Sequence, residues 1–339
     1  MSNKSSSSVL HDRDDTAFDL TLRPQRWDEY VGQEHIKRNL RILIDAARKR
    51  SEPIEHVLLS GPAGLGKTSL AHLIAREMNT NIRVTSGPAI ERVGDLASIL
   101  TNLQSGEILF IDEAHRLNKL IEETLYPAME TRTLDIIIGK GPSARTIQIE
   151  IPPFTLIAAT TRVGLLSGPL RSRFGGSFRL DFYAPQELER IIARSAAILG
   201  VEIEKEAVSR IASVSRFTPR VANRLLKRVR DYAQVHSDGT VTDAISQKAL
   251  ALLEIDQWGL EPMDRRVLEV VIHKFKGGPV GLRAIAASAA EEEESLEEVY
   301  EPYLMQLGLL ERTPRGRMAT ERAYEHLGLS VPKQKPLLS

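Results

Sequence analysis

Residues 61–68 of this 339-residue chain, GPAGLGKT, match the pattern G-x-x-x-x-G-K-[S/T] at every fixed position. No other segment constrains the fold as strongly. A β-type apolar run at 56–60 precedes the match, and helical periodicity at 68–78 follows it. In that context the glycines let backbone N–H groups curl around phosphate oxygens, and the helix N-terminus adds the positive end of its dipole. We therefore predict a nucleotide-binding α/β domain. The alternative is a glycine-rich turn that binds nothing.

Two polar side chains of this loop and two acids further along the chain indicate what happens to the nucleotide. Lys67 would reach the β- and γ-phosphates of ATP, and the Thr68 hydroxyl would ligate Mg²⁺. A second buried run, residues 107–111, leads into Asp112 and Glu113. Asp112 would hold the water shell of Mg²⁺, and Glu113 would polarise the attacking water as a general base. Beside a phosphate loop, the two acids predict ATP hydrolysis.

Three further polar positions would complete such a site. A third apolar run, residues 155–159, ends at Thr160-Thr161-Arg162, where the Thr161 hydroxyl would sense the γ-phosphate. Arg171 and Arg173, two arginines just before Phe174 on a predicted surface segment, suggest an arginine finger inserted into a neighbouring subunit, with ordinary surface salt bridges as the alternative. Thr218-Pro219-Arg220 opens a helix, from which Arg220 could reach back to the nucleotide.

The alternation of apolar runs and helical segments predicts the fold class and its domains. The class is α/β: an ATPase core with a parallel sheet and flanking helices, then a helical lid and a winged-helix domain. The expected boundaries are 1–17 for a disordered leader, 18–183 for the ATPase domain with a projecting β-hairpin near 131–151, 184–255 for the lid, 256–330 for the winged helix and 331–339 for a tail.

Composition excludes several classes of function. There is no cysteine, which rules out disulfides and thiolate sites and suits a reducing cytoplasm. The eight histidines have no paired ligand spacing, so we expect no structural metal. With 45 basic and 45 acidic residues the net charge is zero, so a nucleic-acid surface must be a local basic patch. The apolar runs are too short to cross a membrane, and the N-terminus does not resemble a secretory signal.

The C-terminal domain contains such a patch. Its third helix, near 295–307, is rich in glutamate and would repel DNA. Arg312, Arg315 and Arg317 instead fall within six residues around a Pro-Gly turn that predicts a β-wing. Arginines without an aromatic platform suit phosphate contacts, hence binding to duplex DNA without sequence readout. A solvated basic turn is the alternative.

The order of these features resembles the AAA+ ATPases, and the finer match, from about residue 22 to 328, is to the RuvB family. The segments that carry it include YVGQ at 30–33, TSGP at 85–88, LYPAME at 125–130, PPFTLI at 152–157, ANRLL at 222–226, GGPVGL at 277–282 and RTPRGR at 312–317. The resemblance implies a homohexameric ring around duplex DNA that flanks a four-way junction bound by RuvA, with RuvC in the resolving complex. It also implies that the hairpin docks on RuvA.

The resemblance also assigns roles to individual residues. It implies nucleotide contacts by Leu22, Arg23, Gly64, Gly66, Lys67, Thr68, Ser69, Glu130, Thr131, Arg132, Tyr183 and Arg220. Arg173 matches the finger that acts in trans, and Arg312 and Arg317 match DNA-contacting arginines. Thr131-Arg132 and Phe217 depart from the usual family residues, without touching a charged catalytic position.

Three rival classes remain open on the sequence. Asp112-Glu113-Ala114-His115 is typical of superfamily-2 helicases, but no second core domain of the kind they need follows. A clamp loader would end in a helical collar rather than a winged helix. An ATP-gated DNA-binding switch would show slow turnover unaffected by a junction-binding partner.

Overall fold

The computed structural model describes residue 18 and residues 20–138 and 145–331, with residues 136–138 and 145–146 described by their backbone only. The expected leader, the turn of the hairpin at 139–142 and the tail beyond 331 lie outside this range. Internal contacts divide the chain after Tyr183 into two units. Among the described residues no helix is long and apolar enough to cross a membrane.

The first unit is built on a parallel sheet, which within the described residues has the strand order β2-β3-β6-β1-β7. Its strands are β1 (Val57–Ser60), β2 (Ile82–Ser86), β3 (Ile108–Asp112), β6 (Thr155–Thr160) and β7 (Gly176–Arg179). All residues of β1 and β6 are buried, as expected where helices cover both faces of a sheet. The predicted α/β core is confirmed.

Helices of the first unit alternate with these strands. They are α1 (Glu34–Arg50), α2 (Lys67–Glu77), α3 (Val93–Thr101), α4 (Lys119–Glu130) and α5 (Gly168–Arg171), with 3₁₀ turns at Trp27–Glu29, Gly87–Ala89, Ala114–Arg116 and Val163–Leu165. Leucines of α3 and α4 pack with β3 and β6 in one apolar cluster that includes Leu96, Leu125 and Leu156. Burial of each such side chain contributes about 1.5–3 kcal/mol.

A hairpin interrupts the alternation between α4 and β6. Strands β4 (Thr133–Ile138) and β5 (Arg145–Glu150) pair antiparallel, from Thr133 opposite Glu150 to Ile138 opposite Arg145. Among the described residues they form a two-stranded sheet of their own. Leu134 is buried in the core of the unit and Ile147 is half exposed.

The second unit begins with a helical segment and ends in a winged helix. Its helices are α6 (Pro185–Ile198), α7 (Lys205–Ser213), α8 (Pro219–His236), α9 (Asp243–Leu252), α10 (Pro262–Glu269), α11 (Leu282–Ala289), α12 (Glu293–Ser295), α13 (Glu301–Gln306) and α14 (Glu321–His326), and its wing is β8 (Leu310–Thr313) and β9 (Gly316–Ala319). A π-helical turn, Leu296–Tyr300, joins α12 to α13.

A buried ion pair connects the helical segment with the winged helix. Arg216 donates to both carboxylate oxygens of Asp264 at 2.9 and 3.1 Å and to the Val299 carbonyl at 3.2 Å. Its guanidinium also lies 4.4 Å from the centre of the Tyr303 ring. Burial raises the pKa of Asp264 to about 6. Because this carboxylate has left water, Arg216 is needed to offset its desolvation.

Candidate nucleotide-hydrolysis site

The phosphate-binding loop follows β1 and leads directly into α2, as the motif predicts. Gly61 has φ +132°, and a Cβ there would lie 2.6 Å from the Leu180 carbonyl oxygen, so no other residue fits. Gly64 and Gly66 have φ +79° and +94°, in the region that glycine adopts without strain. The loop is therefore shaped by its glycines, with backbone N–H groups available to an anion at the start of α2.

Lys67 and Thr68 lie at the base of this loop. The Lys67 ammonium is buried and donates to the carbonyl oxygens of Gly61 at 2.7 Å and Pro62 at 2.8 Å. Thr68 Oγ1 donates to Asp112 Oδ2 at 3.2 Å, although the two residues are 44 positions apart. A hydroxyl and a carboxylate oxygen that meet beside a phosphate site are the hard ligands that Mg²⁺ prefers, so these residues fit that ion.

The second acid, Glu113, lies in a tight turn after β3. Its φ is +48°, and its carboxylate is about half exposed, with Arg116 Nη1 3.4 Å from Glu113 Oε2. Gly87 packs against the backbone of this turn, where a Cβ would lie 2.4 Å from the Glu113 carbonyl oxygen. The TSGP segment stands out in the sequence, but this contact is visible only in the structure. The glycine supports the turn that carries the predicted base.

The end of β6 carries the predicted γ-phosphate sensor. Thr161 Oγ1 is buried and has no hydrogen-bond partner within the described residues. A buried hydroxyl without a partner costs about 1–3 kcal/mol, so a ligand or its water is the natural partner. The neighbouring Thr160 Oγ1 lies 3.1 Å from His115 Nδ1, which ties this strand end to the turn after Glu113.

Two tyrosines outside residues 61–68 hydrogen-bond to the phosphate-binding loop. The hydroxyls of Tyr183 and Tyr30 donate to the Leu65 carbonyl at 3.2 and 3.4 Å. Burial raises the pKa of Tyr30 well above its usual value, so it remains a donor. Tyr183 was expected from the family resemblance. Tyr30 was not predicted as a site residue, because the sequence shows it only as part of the family-like segment YVGQ.

Three other expected nucleotide contacts of the first unit lie in the first turn of α2 or ahead of the first 3₁₀ turn. Leu22 is buried and Arg23 is partly buried ahead of the first 3₁₀ turn, and Ser69 is partly buried in the first turn of α2. In the second unit Arg220 lies in the first turn of α8, where Pro219 is the first residue and the Thr218 hydroxyl accepts from Val221 N–H at 3.4 Å. The predicted helix start at Thr218 is confirmed.

Other predicted residues lie at the opposite edge of the sheet. Lys67, Asp112 and Thr161 lie at or after the carboxyl ends of parallel strands, which share one edge of the sheet. His56 lies just before β1, at the amino ends of the strands, and its Nε2 is 3.2 Å from the Met129 carbonyl oxygen. Glu130, Thr131 and Arg132 follow Met129 directly, so they begin at this amino edge of the sheet. One strand length, about 13 Å at a rise of about 3.3 Å per residue, separates the two edges.

Arg173 belongs to that second edge. It comes three residues before Gly176, which pairs with Val57 at the start of β1. Its Nε lies 3.2 Å from Glu130 Oε1, and its Nη1 donates to the Pro169 carbonyl at 2.6 Å. Its side chain is only 19% exposed, so it is more covered than the surface segment predicted from the sequence. In one chain this predicted finger therefore lies beside Glu130 and away from the phosphate loop.

The arginines of the wing differ in their surroundings. Arg317 donates to both oxygens of the buried Glu301 carboxylate at 3.1 and 3.0 Å and is 14% exposed. Arg312 is half exposed and lies 3.2 Å from oxygens of both Glu301 and Glu297. Arg315 is exposed in the turn between β8 and β9. The sequence predicts that the helix glutamates only repel DNA, whereas in the structure Glu301 pairs with both Arg312 and Arg317.

A phosphate loop after β1, acids at the end of β3, a buried threonine hydroxyl after β6 and a helical domain with Arg220 together define an AAA+ ATPase. Residues 22–180 match the family model for the Holliday junction DNA helicase RuvB P-loop domain, residues 183–256 the RuvB AAA lid domain, and residues 257–328 the RuvB C-terminal winged helix domain. The chain belongs to the RuvB family, whose members are ATP-driven motors of Holliday-junction branch migration.

Solved structures agree with this assignment. The Thermotoga maritima RuvB Holliday junction branch migration motor is 52% identical over 92% of this chain and 100% of its own, with a TM-score of 0.85. A lysine-to-arginine variant of that protein is also 52% identical, over 92% of this chain and 99% of its own, with a TM-score of 0.86. The likeness therefore spans all three regions matched by the family models.

Proposed function

We propose that this chain assembles into a homohexameric ring that hydrolyses ATP and pulls duplex DNA from a four-way junction held by RuvA. The observation that carries this proposal is the division of the site between the two edges of the sheet. Lys67, Asp112 and Glu113 occupy one edge, while Arg173 and Glu130 occupy the other. A second copy that presents its amino edge to the first copy's phosphate loop would complete the site, and a closed ring repeats that contact.

The residues of the carboxyl edge would carry out binding and activation. Backbone N–H groups of the loop and Lys67 would hold the phosphates, with Lys67 exchanging its carbonyl partners for phosphate oxygens. Mg²⁺ bound by Thr68 and Asp112 would neutralise charge on the β- and γ-phosphates. Glu113 would accept a proton from the attacking water, and the Thr161 hydroxyl would orient that water or the γ-phosphate.

Other residues would connect hydrolysis to movement. Arg173 of a neighbouring subunit would stabilise the charge on the γ-phosphoryl group as it passes from ADP to water, an effect worth about 10³–10⁵ in rate in related phosphoryl transfers. Arg220 would report ATP or ADP to the lid, and Tyr183 would support the loop from its own chain. Glu130, Thr131 and Arg132 would contact the nucleotide of the neighbour rather than that of their own chain.

The wing and the hairpin would contact the ring's partners. Arg315, Arg312 and Arg317 would bind DNA phosphates without reading bases, which lets a motor move along any sequence. The hairpin of β4 and β5 would dock on RuvA, and RuvC would join the complex that resolves the junction. Recombination and DNA repair in the cytoplasm are the setting this implies.

The test is ATP-dependent dissociation of a synthetic four-way junction by the full chain with RuvA. Wild type is compared with Glu113→Gln, which removes the base, and Arg173→Ala, which removes the finger. Wild type should resolve the junction into duplexes, and both variants should fail while still binding ATP. If wild type hydrolyses ATP without moving the junction, the branch-migration proposal is wrong although the ATPase assignment survives.

A further inference from the structure

The ring of Tyr126 lies under the guanidinium of Arg173. Tyr126 is on α4, one turn before its end, and is partly buried against the core of the ATPase unit. The Cζ atom of Arg173 lies 4.3 Å from the centre of the Tyr126 ring. This distance is well within the range of about 6 Å over which the negative face of an aromatic ring attracts a cation.

The hydroxyl of the same tyrosine holds the start of the segment that leads to Arg173. Tyr126 Oη lies 2.8 Å from Ser167 Oγ, and Ser167 caps α5 by accepting the Leu170 N–H at 3.2 Å. At the other end of this segment, Arg173 donates to the carbonyl of Pro169 within α5. One side chain therefore contacts residues 167 and 173, the two ends of the segment.

This arrangement restrains a side chain that would otherwise be mobile. A free arginine samples many rotamers and loses about 2 kcal/mol of rotamer entropy when it is fixed. Charge stabilisation in a reaction depends on donors that are already aimed when the charge develops. Glu130 also lies beside Arg173, but its side chain is 55% exposed, so water screens that pair. The Tyr126 ring is less exposed than the Glu130 carboxylate, so it restrains Arg173 more effectively.

We propose that Tyr126 is a positioning residue that aims the Arg173 finger at the nucleotide of the neighbouring subunit. This rests on the proposed function, in which Arg173 acts in trans. Tyr126 lies at the amino edge of the sheet, away from the phosphate loop of its own chain. Its loss should therefore lower kcat for ATP hydrolysis and leave KM for ATP near the wild-type value.

The experiment measures junction-stimulated ATP hydrolysis by the full chain with RuvA and a synthetic four-way junction. The variants are Tyr126→Leu, Tyr126→Phe, Arg173→Ala and the double variant Tyr126→Leu with Arg173→Ala, and single-turnover rates keep slow hydrolysis measurable. Tyr126→Leu should lower kcat about 2- to 30-fold, the range expected for one cation–π contact. Tyr126→Phe keeps the ring and should recover most of that loss. In the Arg173→Ala background, Tyr126→Leu should have no further effect.

Three other outcomes would contradict the role of Tyr126 or of Arg173. An equal loss from Tyr126→Leu with and without Arg173 would overturn the proposal, because the tyrosine would then act by another route. A Tyr126→Phe rate as low as that of Tyr126→Leu would also overturn the role of the ring. If Arg173→Ala turns over at the wild-type rate, the finger assignment itself is wrong. Thermal unfolding checks each fold, and Tyr126→Met, which fills irregular space, replaces Tyr126→Leu if the latter is unstable.

Discussion

Substitution of Gly87 by alanine should slow ATP hydrolysis while leaving nucleotide binding intact. The new Cβ would lie 2.4 Å from the Glu113 carbonyl oxygen and 3.2 Å from the Leu117 nitrogen, whereas ordinary contacts begin at 3.4 Å. Both neighbours are backbone atoms, so no flexible side chain can yield. The φ of Gly87 is not positive, which means that the strain comes from this contact and not from the conformation of residue 87.

The expected loss of kcat follows from how far the Glu113 carbonyl must move away from the new Cβ. The turn after β3 must move by about 1 Å to relieve the contact, and a displacement of about 1 Å in a catalytic group can cost roughly 10²-fold in rate. The turn would shift together with Glu113, because Arg116 N–H bonds the Glu113 carbonyl at 2.9 Å. We therefore expect kcat to fall about 10²-fold, equivalent to about 2.7 kcal/mol. KM for ATP should change little, because the phosphate loop is untouched.

Gly94→Ala is the matched control. A Cβ at Gly94 meets nothing within 4 Å, and the residue lies in the first turn of α3. Its ATPase rate should stay at wild type, and its melting temperature should stay equal or rise slightly because alanine favours helices. The assay is steady-state hydrolysis with RuvA and junction DNA, beside thermal unfolding. A folded Gly87→Ala protein with kcat within about 3-fold of wild type would show that the contact with Gly87 does not position Glu113.

Three further predictions concern stability and DNA binding. Arg216→Ala should lower the free energy of unfolding, measured in urea, by about 3–5 kcal/mol at pH 8, because it leaves the Asp264 carboxylate buried without its ion-pair partner. Below pH 6 the loss should be smaller, because Asp264 then takes up a proton and no longer carries a charge. His56→Asn should remove a loss of stability that wild type shows as pH falls below 6.5. Burial lowers the pKa of His56, whose Nδ1 accepts Leu156 N–H at 2.8 Å, so the unfolded chain binds the proton more tightly. Arg315→Ala should weaken duplex binding and reduce its logarithmic salt slope by about 1, whereas Arg317→Ala should also lower the melting temperature.

Each of these has a clear contrary result. A cost of Arg216→Ala that does not change between pH 8 and 5 would mean that Asp264 does not titrate in the folded protein. Parallel stability curves for wild type and His56→Asn from pH 8 to 5 would exclude His56 as the cause of the slope. Unchanged DNA binding by Arg315→Ala, measured by fluorescence anisotropy over a salt series, would remove the wing tip from the DNA interface.

Parts of this protein could be predicted from the sequence because they depend on neighbours in the chain. The phosphate loop, the strand that ends at Asp112 and the helix start at Thr218 each follow from a few consecutive residues. The ATPase core was visible because β1, β3 and β6 are buried on both faces and read as apolar runs.

Other elements were not visible in the same way. The edge strands β2 and β7 were not identified, since their residues are mostly exposed or intermediate and do not form an apolar run. Edge strands are buried less, and only their pairing with β3 and β1 defines them.

The loop at 61–68, the acids at the end of β3 and the alternation of strands and helices were enough to predict the class of chemistry and the fold. The contacts that support those groups appear only in the folded chain: Gly87 packs against Glu113, Tyr126 lies under Arg173, and Glu301 pairs with Arg317. The position of Arg173 at the opposite edge of the sheet from the phosphate loop likewise depends on the fold. Each of these relations joins segments that are distant in sequence, and local periodicity carries no information about strand order or packing.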